Sequence, residues 1–211
     1  MAEVVPSLER KEAIKSGVRV EAFTVGWMLV EAVVAIGAGV IARSVLLTAF
    51  GFDSVIELLS GAALFWRLRA EARAIDASRA EQAERLVVRI SAVLLGLLCV
   101  YVLVTSIAGL LLRAEPEGSL VGLIVAAAAI VVMPLLAIRK GVLNRTIDSD
   151  ALRADIVETL TCAYMAGATL VGVALNIVLH WWWADYVAAL VLLFWLVQET
   201  REATEAARSK S

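Results

Sequence analysis

The segment Gly51-Phe52-Asp53-Ser54-Val55-Ile56-Glu57-Leu58-Leu59-Ser60-Gly61 places two carboxylates in an otherwise apolar run. On a helix, Asp53 and Glu57 lie one turn apart on the same face. An ionisable side chain inside a bilayer is costly and is interpreted first as functional. A second segment, Asp155-Ile156-Val157-Glu158-Thr159-Leu160-Thr161-Cys162, repeats this spacing with Glu158 and Cys162. We interpret the two segments as facing halves of one site for a divalent metal ion.

The composition indicates a membrane protein. Of the 211 residues, 61% are hydrophobic, whereas soluble domains are close to half apolar. Both cysteines, Cys99 and Cys162, lie in apolar runs, so a disulfide framework is not expected. The polar N-terminus carries no apolar region of a cleavable signal peptide. The sequence also contains no nucleotide-binding glycine loop and no nucleophile–base pair, so we expect neither an ATPase nor another enzyme, no prosthetic group and no nucleic-acid partner.

Six apolar runs approach the roughly 20 residues that a membrane-spanning helix needs. The first two are separated only by a tight turn at Arg43 and Ser44, and together they are too long for one crossing. We therefore predict an all-α integral membrane protein with six transmembrane helices. Its predicted parts are an N-terminal segment (1–20), a six-helix domain (21–199) and a short tail (200–211). The predicted spans are about 22–42, 45–66, 90–112, 120–138, 151–179 and 184–197.

The distribution of basic residues predicts the orientation. Six alternating spans place 17 of the 19 Lys and Arg residues on one side and leave only Arg43 and Arg113 on the other. Basic residues accumulate on the cytoplasmic side of membrane proteins. We therefore predict a multi-pass protein of the cell (inner) membrane with both termini in the cytoplasm. The segment from Arg67 to Arg85 is read either as a helical extension of the second and third spans or as a solvated charged linker.

Four residues are predicted metal ligands: Asp53, Glu57, Glu158 and Cys162. Carboxylate oxygens and a thiolate are ordinary ligands for zinc and its neighbours. Cys162 alone would be interpreted as a small buried hydrophobic residue. It becomes a candidate metal ligand because it lies one turn from Glu158. Glu31, within the first span, and Asp155 are candidates for an accessory or proton-coupling role. Glu31 could instead hydrogen-bond a neighbouring helix, and Asp155 could stabilise the start of its helix.

The charge of the predicted site suggests a mechanism. Its three carboxylates and one thiolate carry −4 when all are ionised, and a divalent cation cancels half of that. Close carboxylates repel unless a proton or a cation lies between them, so protons would take the place of the metal in the empty site. Metal binding would then displace protons. A site that alternates between metal and protons fits a metal/proton antiporter, and an inward proton gradient would drive efflux.

At these segments the chain resembles the cation diffusion facilitator, or cation efflux, family. The family carries paired ligands on its second and fifth spans, and the run from Ser44 to Glu57 matches the first motif. The run from Leu152 to Cys162 matches the second, with Glu158 at the family's histidine and Cys162 at its last aspartate. Ala184-Asp185 matches the A-D before the last helix. The resemblance implies six spans with both termini inside, a transported divalent cation and a homodimer, although the family's usual cytoplasmic domain is missing.

The resemblance places zinc first as the substrate, with manganese, iron, cobalt and cadmium as alternatives. Glutamates favour harder ions such as manganese or ferrous iron, and a cysteine favours zinc or cadmium. The same acidic residues are also compatible with two other functions. One is a metal-binding membrane sensor or scaffold without transport, and the other is an organic-cation/proton antiporter.

Overall fold

The computed structural model describes residues 4–73 and 78–209, which form six α-helices. All six are long and apolar enough to cross a membrane, which confirms the predicted all-α fold with six spans. The part of the chain that the structure describes contains no β-strand. The helices are α1 (Val4–Ala42), α2 (Val45–Ala72), α3 (Ser78–Leu112), α4 (Leu120–Ile147), α5 (Asp150–Leu179) and α6 (Trp182–Ser209).

Several helices extend beyond the predicted apolar runs. α1 is already helical from Val4, and α6 continues without a break to Ser209. The charged segment after the second span is helical up to Ala72 and again from Ser78, as expected for extensions of α2 and α3, whereas residues 74–77 lie outside the described part. The limits of the predicted parts at residues 20 and 200 therefore fall inside continuous helices, and the orientation of the termini stays a prediction.

The turn between α1 and α2 is as tight as predicted, and a carboxylate from α6 holds it. Arg43 adopts a left-handed conformation with φ 53°, and Ser44 caps α2 by accepting a hydrogen bond from Leu47 N at 3.0 Å. Asp185 accepts hydrogen bonds from the Ser44 hydroxyl and from Val45 N at 3.0 Å. A carboxylate at a helix N-terminus satisfies unpaired N–H groups and complements the helix dipole. Asp185 therefore joins the start of α6 to the start of α2.

Small residues allow α1 and α2 to cross at close range. A Cβ atom on Gly39 would lie 2.6 Å from Thr48 N, and one on Gly51 would lie 2.7 Å from Ile36 N. Both distances are shorter than any real Cβ contact, so only glycine fits at either position. Close backbone approach through small residues is a usual way in which membrane helices associate. The crossing fixes the first turns of α2 against α1.

α2 lies at the centre of the bundle. It packs against α1, α3, α5 and α6, and it is the most enclosed of the six helices. α3 is the least enclosed and exposes a row of large apolar side chains, as expected for a helix that faces lipid. Because α2 is surrounded, the two acids predicted on it are directed into the protein.

A buried ion cluster joins α1, α4 and α5. Lys140 lies within α4, and only 1% of its side chain is exposed. Its Nζ atom lies 3.0 Å from Glu21 Oε2 and forms a second ion pair with Asp155 Oδ2. Thr159 Oγ1 is a third neighbour of Nζ at 3.4 Å. The predicted spans leave Lys140 in the connection after the fourth span, but α4 continues to Ile147 and buries the ammonium group between two carboxylates.

We predict that replacement of Lys140 by methionine destabilises the protein by about 3–5 kcal/mol, because it leaves Glu21 and Asp155 buried without their cation. Thermal unfolding in detergent measures the loss. Arg139→Met, at the exposed neighbouring position, is the matched control and should unfold like the wild type.

The triple variant Glu21→Gln, Lys140→Met, Asp155→Asn removes all three charges and should recover most of the stability. A Lys140→Met protein as stable as the wild type, or a triple variant as unstable as the single one, would contradict the assignment.

Candidate metal site

Glu31 joins three helices through hydrogen bonds in the interior of the bundle. Its side chain is completely buried. Oε2 accepts a hydrogen bond from Trp27 Nε1 at 2.7 Å, and Oε1 accepts one from the Ser54 hydroxyl at 2.7 Å. The Cys162 thiol of α5 lies 3.5 Å from the same Oε1 atom and donates to it. Glu31 therefore hydrogen-bonds to neighbouring helices, which was the alternative to a functional role. Its partner Cys162 is one of the predicted metal ligands.

Asp53 and Glu57 are buried without any such partner. The exposed fraction is 0% for Asp53 and 3% for Glu57, and they lie one turn apart on α2 as predicted. None of their four carboxylate oxygens has a hydrogen-bond partner among the described residues. A buried polar group without a partner is costly, and a buried charge without one costs far more. These oxygens are thus available to a proton or a cation.

The two predicted residues of α5 both interact with the acids of α2. Cys162 is completely buried; its thiol contacts Glu31 and interacts electrostatically with Glu57 and Asp53. Glu158 lies one turn nearer the start of α5 and interacts electrostatically with Asp53 and with the cluster around Lys140. Glu158 therefore interacts with the α2 acids and with the buried ion cluster.

Glu199 of α6 is an acid that the sequence did not single out. One of its oxygens, Oε2, is buried without a hydrogen-bond partner in the described structure, and its side chain interacts electrostatically with Asp53 and Glu57. The predicted sixth span ended near Val197, so Glu199 was placed at the edge of the tail. The length of the helix was the missing signal: roughly 20 residues counted from Trp182 would have included it.

The predicted ligands lie in one region but do not converge on one point. In residues 4–73 and 78–209, no three His, Cys, Asp or Glu side chains form a group that could hold a metal ion as they stand. Cys162 and Glu158 of α5 both interact electrostatically with acids of α2, and the four-ligand set stays a prediction. The two accessory candidates are already engaged, Glu31 by three donors and Asp155 by Lys140. A proton-coupling role for either also stays a prediction.

The comparison with protein families agrees with the motifs on α2 and α5. A profile of the cation efflux transmembrane domain matches residues 23–208, from the first turns of the apolar part of α1 to the end of α6. A comparison with curated proteins finds no match. Since the matched region covers most of the 211 residues, the chain consists essentially of this transmembrane domain. The chain belongs to the cation efflux family, whose members are metal cation transporters.

Proposed function

We propose that the protein is a secondary transporter that exports a divalent transition-metal cation, zinc first, in exchange for protons. The observation that carries the proposal is the set of four buried carboxylate oxygens of Asp53 and Glu57 without hydrogen-bond partners. Both residues interact electrostatically with the Cys162 thiol of α5, a helix that packs against α2. Membership of the cation efflux family supports a metal cation as the substrate that would fill this place.

The chemistry of the donors supports a transition metal of intermediate softness. Carboxylate oxygens bind hard and borderline ions, whereas a thiolate selects zinc, cadmium and other softer ions. Zinc accepts both donor types and takes four ligands, so Asp53, Glu57, Glu158 and Cys162 would suffice. Because the four do not form a group that could hold a metal ion in the described structure, ligation would require side chains of α2 and α5 to move closer together. Movement of one helix against another is also what alternating access needs.

Exchange for protons follows from the charge of the same group. Two or more ionised carboxylates without a counterion are unfavourable in a low-dielectric interior, so either protons or a metal ion must neutralise them. Loading of the metal then releases protons, and return of protons releases the metal. With both termini in the cytoplasm, as the basic residues predict, and with an inward proton gradient, the direction of metal movement is outward.

We predict that purified protein in vesicles moves zinc when a pH gradient is imposed. With an acidic lumen and a metal-sensitive dye inside, zinc added outside should enter faster than without the gradient. A protonophore should remove the difference. Asp53→Asn should reduce uptake to the level of protein-free vesicles, because the substitution removes one of the two central charges. Glu202→Gln, at an exposed position of α6, is the matched control and should transport like the wild type.

Two outcomes would contradict the proposal at different points. Absence of flux for zinc, cadmium, cobalt, manganese and iron would exclude the transporter and favour a sensor or scaffold. Flux that does not respond to the pH gradient would exclude exchange for protons and leave transport in place.

We also predict stoichiometric binding of a divalent metal that depends on Asp53. Calorimetry of the wild type in detergent should give saturable zinc binding, and Asp53→Asn should bind about 100-fold more weakly or worse, since loss of even an outer partner of a metal ligand costs 10–100-fold. The heat should vary with the ionisation enthalpy of the buffer because metal displaces protons.

The same titration separates a metal from an organic cation. Binding of an organic cation such as tetraphenylphosphonium in place of zinc, with no saturable divalent binding, would favour the organic-cation antiporter.

A further inference from the structure

Glu199 occupies a position from which α6 can act on the metal site. α6 packs against α2, α3 and α5, and Glu199 lies roughly 25 Å along the helix axis from Trp182. The polar side chains that flank it are directed elsewhere. Gln198 donates to Glu202 Oε1 at 3.3 Å, and Thr200 donates to Leu196 O at 2.6 Å. Glu199 is therefore left with a buried oxygen, Oε2, that no hydrogen bond satisfies within the described residues.

Glu199 interacts electrostatically with other acids. These are Asp53 and Glu57 of α2, Glu158 of α5 and the exposed Glu202 of its own helix. The buried cation Lys140 is already held by two other carboxylates. Repulsion among these groups would favour a rotamer of Glu199 pointing away from α2, yet its Oε2 atom is buried. A carboxylate held in such a place is satisfied when a cation lies between it and its neighbours.

Asp53 and Glu57, which interact with Glu199, also have buried oxygens without hydrogen-bond partners among the described residues. Asp53 and Glu57 are almost completely buried, and all four of their oxygens lack hydrogen-bond partners. The unsatisfied oxygens of α2 and the unsatisfied Oε2 of Glu199 are thus on helices that pack against each other, and their side chains interact electrostatically.

We propose that Glu199 supplies an oxygen ligand from α6 to the transported divalent cation, in addition to the residues of α2 and α5. This inference rests on the proposed function, because it assumes that a metal ion binds at Asp53 and Glu57. A third helix then contributes to the site, which helps to explain how a set that includes a cysteine could still accept harder ions. Glu199 would shift the preference of the site toward manganese relative to cadmium.

The test is calorimetric titration of the full chain with manganese and with cadmium. Glu199→Gln keeps the size of the side chain and removes its charge, and Glu205→Gln, at an exposed position farther along α6, is the control. We expect Glu199→Gln to weaken manganese binding by at least about tenfold and cadmium binding by much less. Glu205→Gln should leave both affinities unchanged. Glu199→Asp retains an oxygen ligand and should restore part of the preference for manganese, which also provides a second variant if the glutamine protein does not fold.

Two results would overturn the inference and leave the proposed function intact, provided that Asp53→Asn loses metal binding in the same assay. One is unchanged affinity for both metals in Glu199→Gln. The other is an equal loss for both metals in Glu199→Gln, because a ligand should affect the harder ion more. Metal binding by Asp53→Asn that equals the wild type would instead contradict the proposed function itself.

Discussion

The burial of carboxylates in an apolar helix bundle is the constraint on which this structure depends. Each buried acid needs a partner, because water is not available to solvate it. Asp185 uses the N-terminus of α2, and Asp155 shares Lys140 with Glu21. Glu31 uses donors from its own helix, from α2 and from α5. These contacts join α6 to α2, α4 to α1 and α5, and α1 to α2 and α5. The contacts that satisfy the buried acids therefore also hold the helices together.

Among the described residues, Asp53 and Glu57 have no such partner for either oxygen, and they are the residues of the proposed site. Their oxygens have no hydrogen-bond partner in the part of the chain that the structure describes, although the helix that carries them is the most enclosed of the six. The surrounding partnered acids supply a rigid frame around this unsatisfied pair. A ligand that satisfies buried groups only in the folded state binds and stabilises that state. The proposed transport cycle exploits this property, because either protons or a metal ion can satisfy the pair.

Much of the fold followed from the sequence because membrane helices leave strong local signals. The six apolar runs, the tight turn at Arg43 and the pairing of Asp53 with Glu57 on one face are all found in the structure. The ends of the helices were less predictable, because α4 and α6 continue past the apolar runs and bring single charged residues of these extensions into the protein interior. The sequence alone therefore placed Lys140 between two spans and overlooked Glu199.

The sequence identified candidate residues of the site better than it predicted the contacts between them. The spacing along α2 and α5 identified the acids and the thiol, but it could not show that Glu31 would be bonded to Ser54 and Cys162. Nor could it show that Glu158 would interact with the buried ion cluster as well as with Asp53. Such relations depend on the rotation of each helix about its axis, which packing sets and local sequence does not.

The central claim is that Asp53 and Glu57 remain unsatisfied in order to receive a divalent cation. Anomalous diffraction from crystals grown with zinc or cadmium tests it most directly. The account predicts a metal peak between α2 and α5, about 2.0–2.3 Å from carboxylate oxygens of Asp53 or Glu57 and from the Cys162 sulfur. A peak bound only by other residues, or crystals at saturating metal in which both carboxylates hydrogen-bond to protein groups and no peak lies near them, would contradict it.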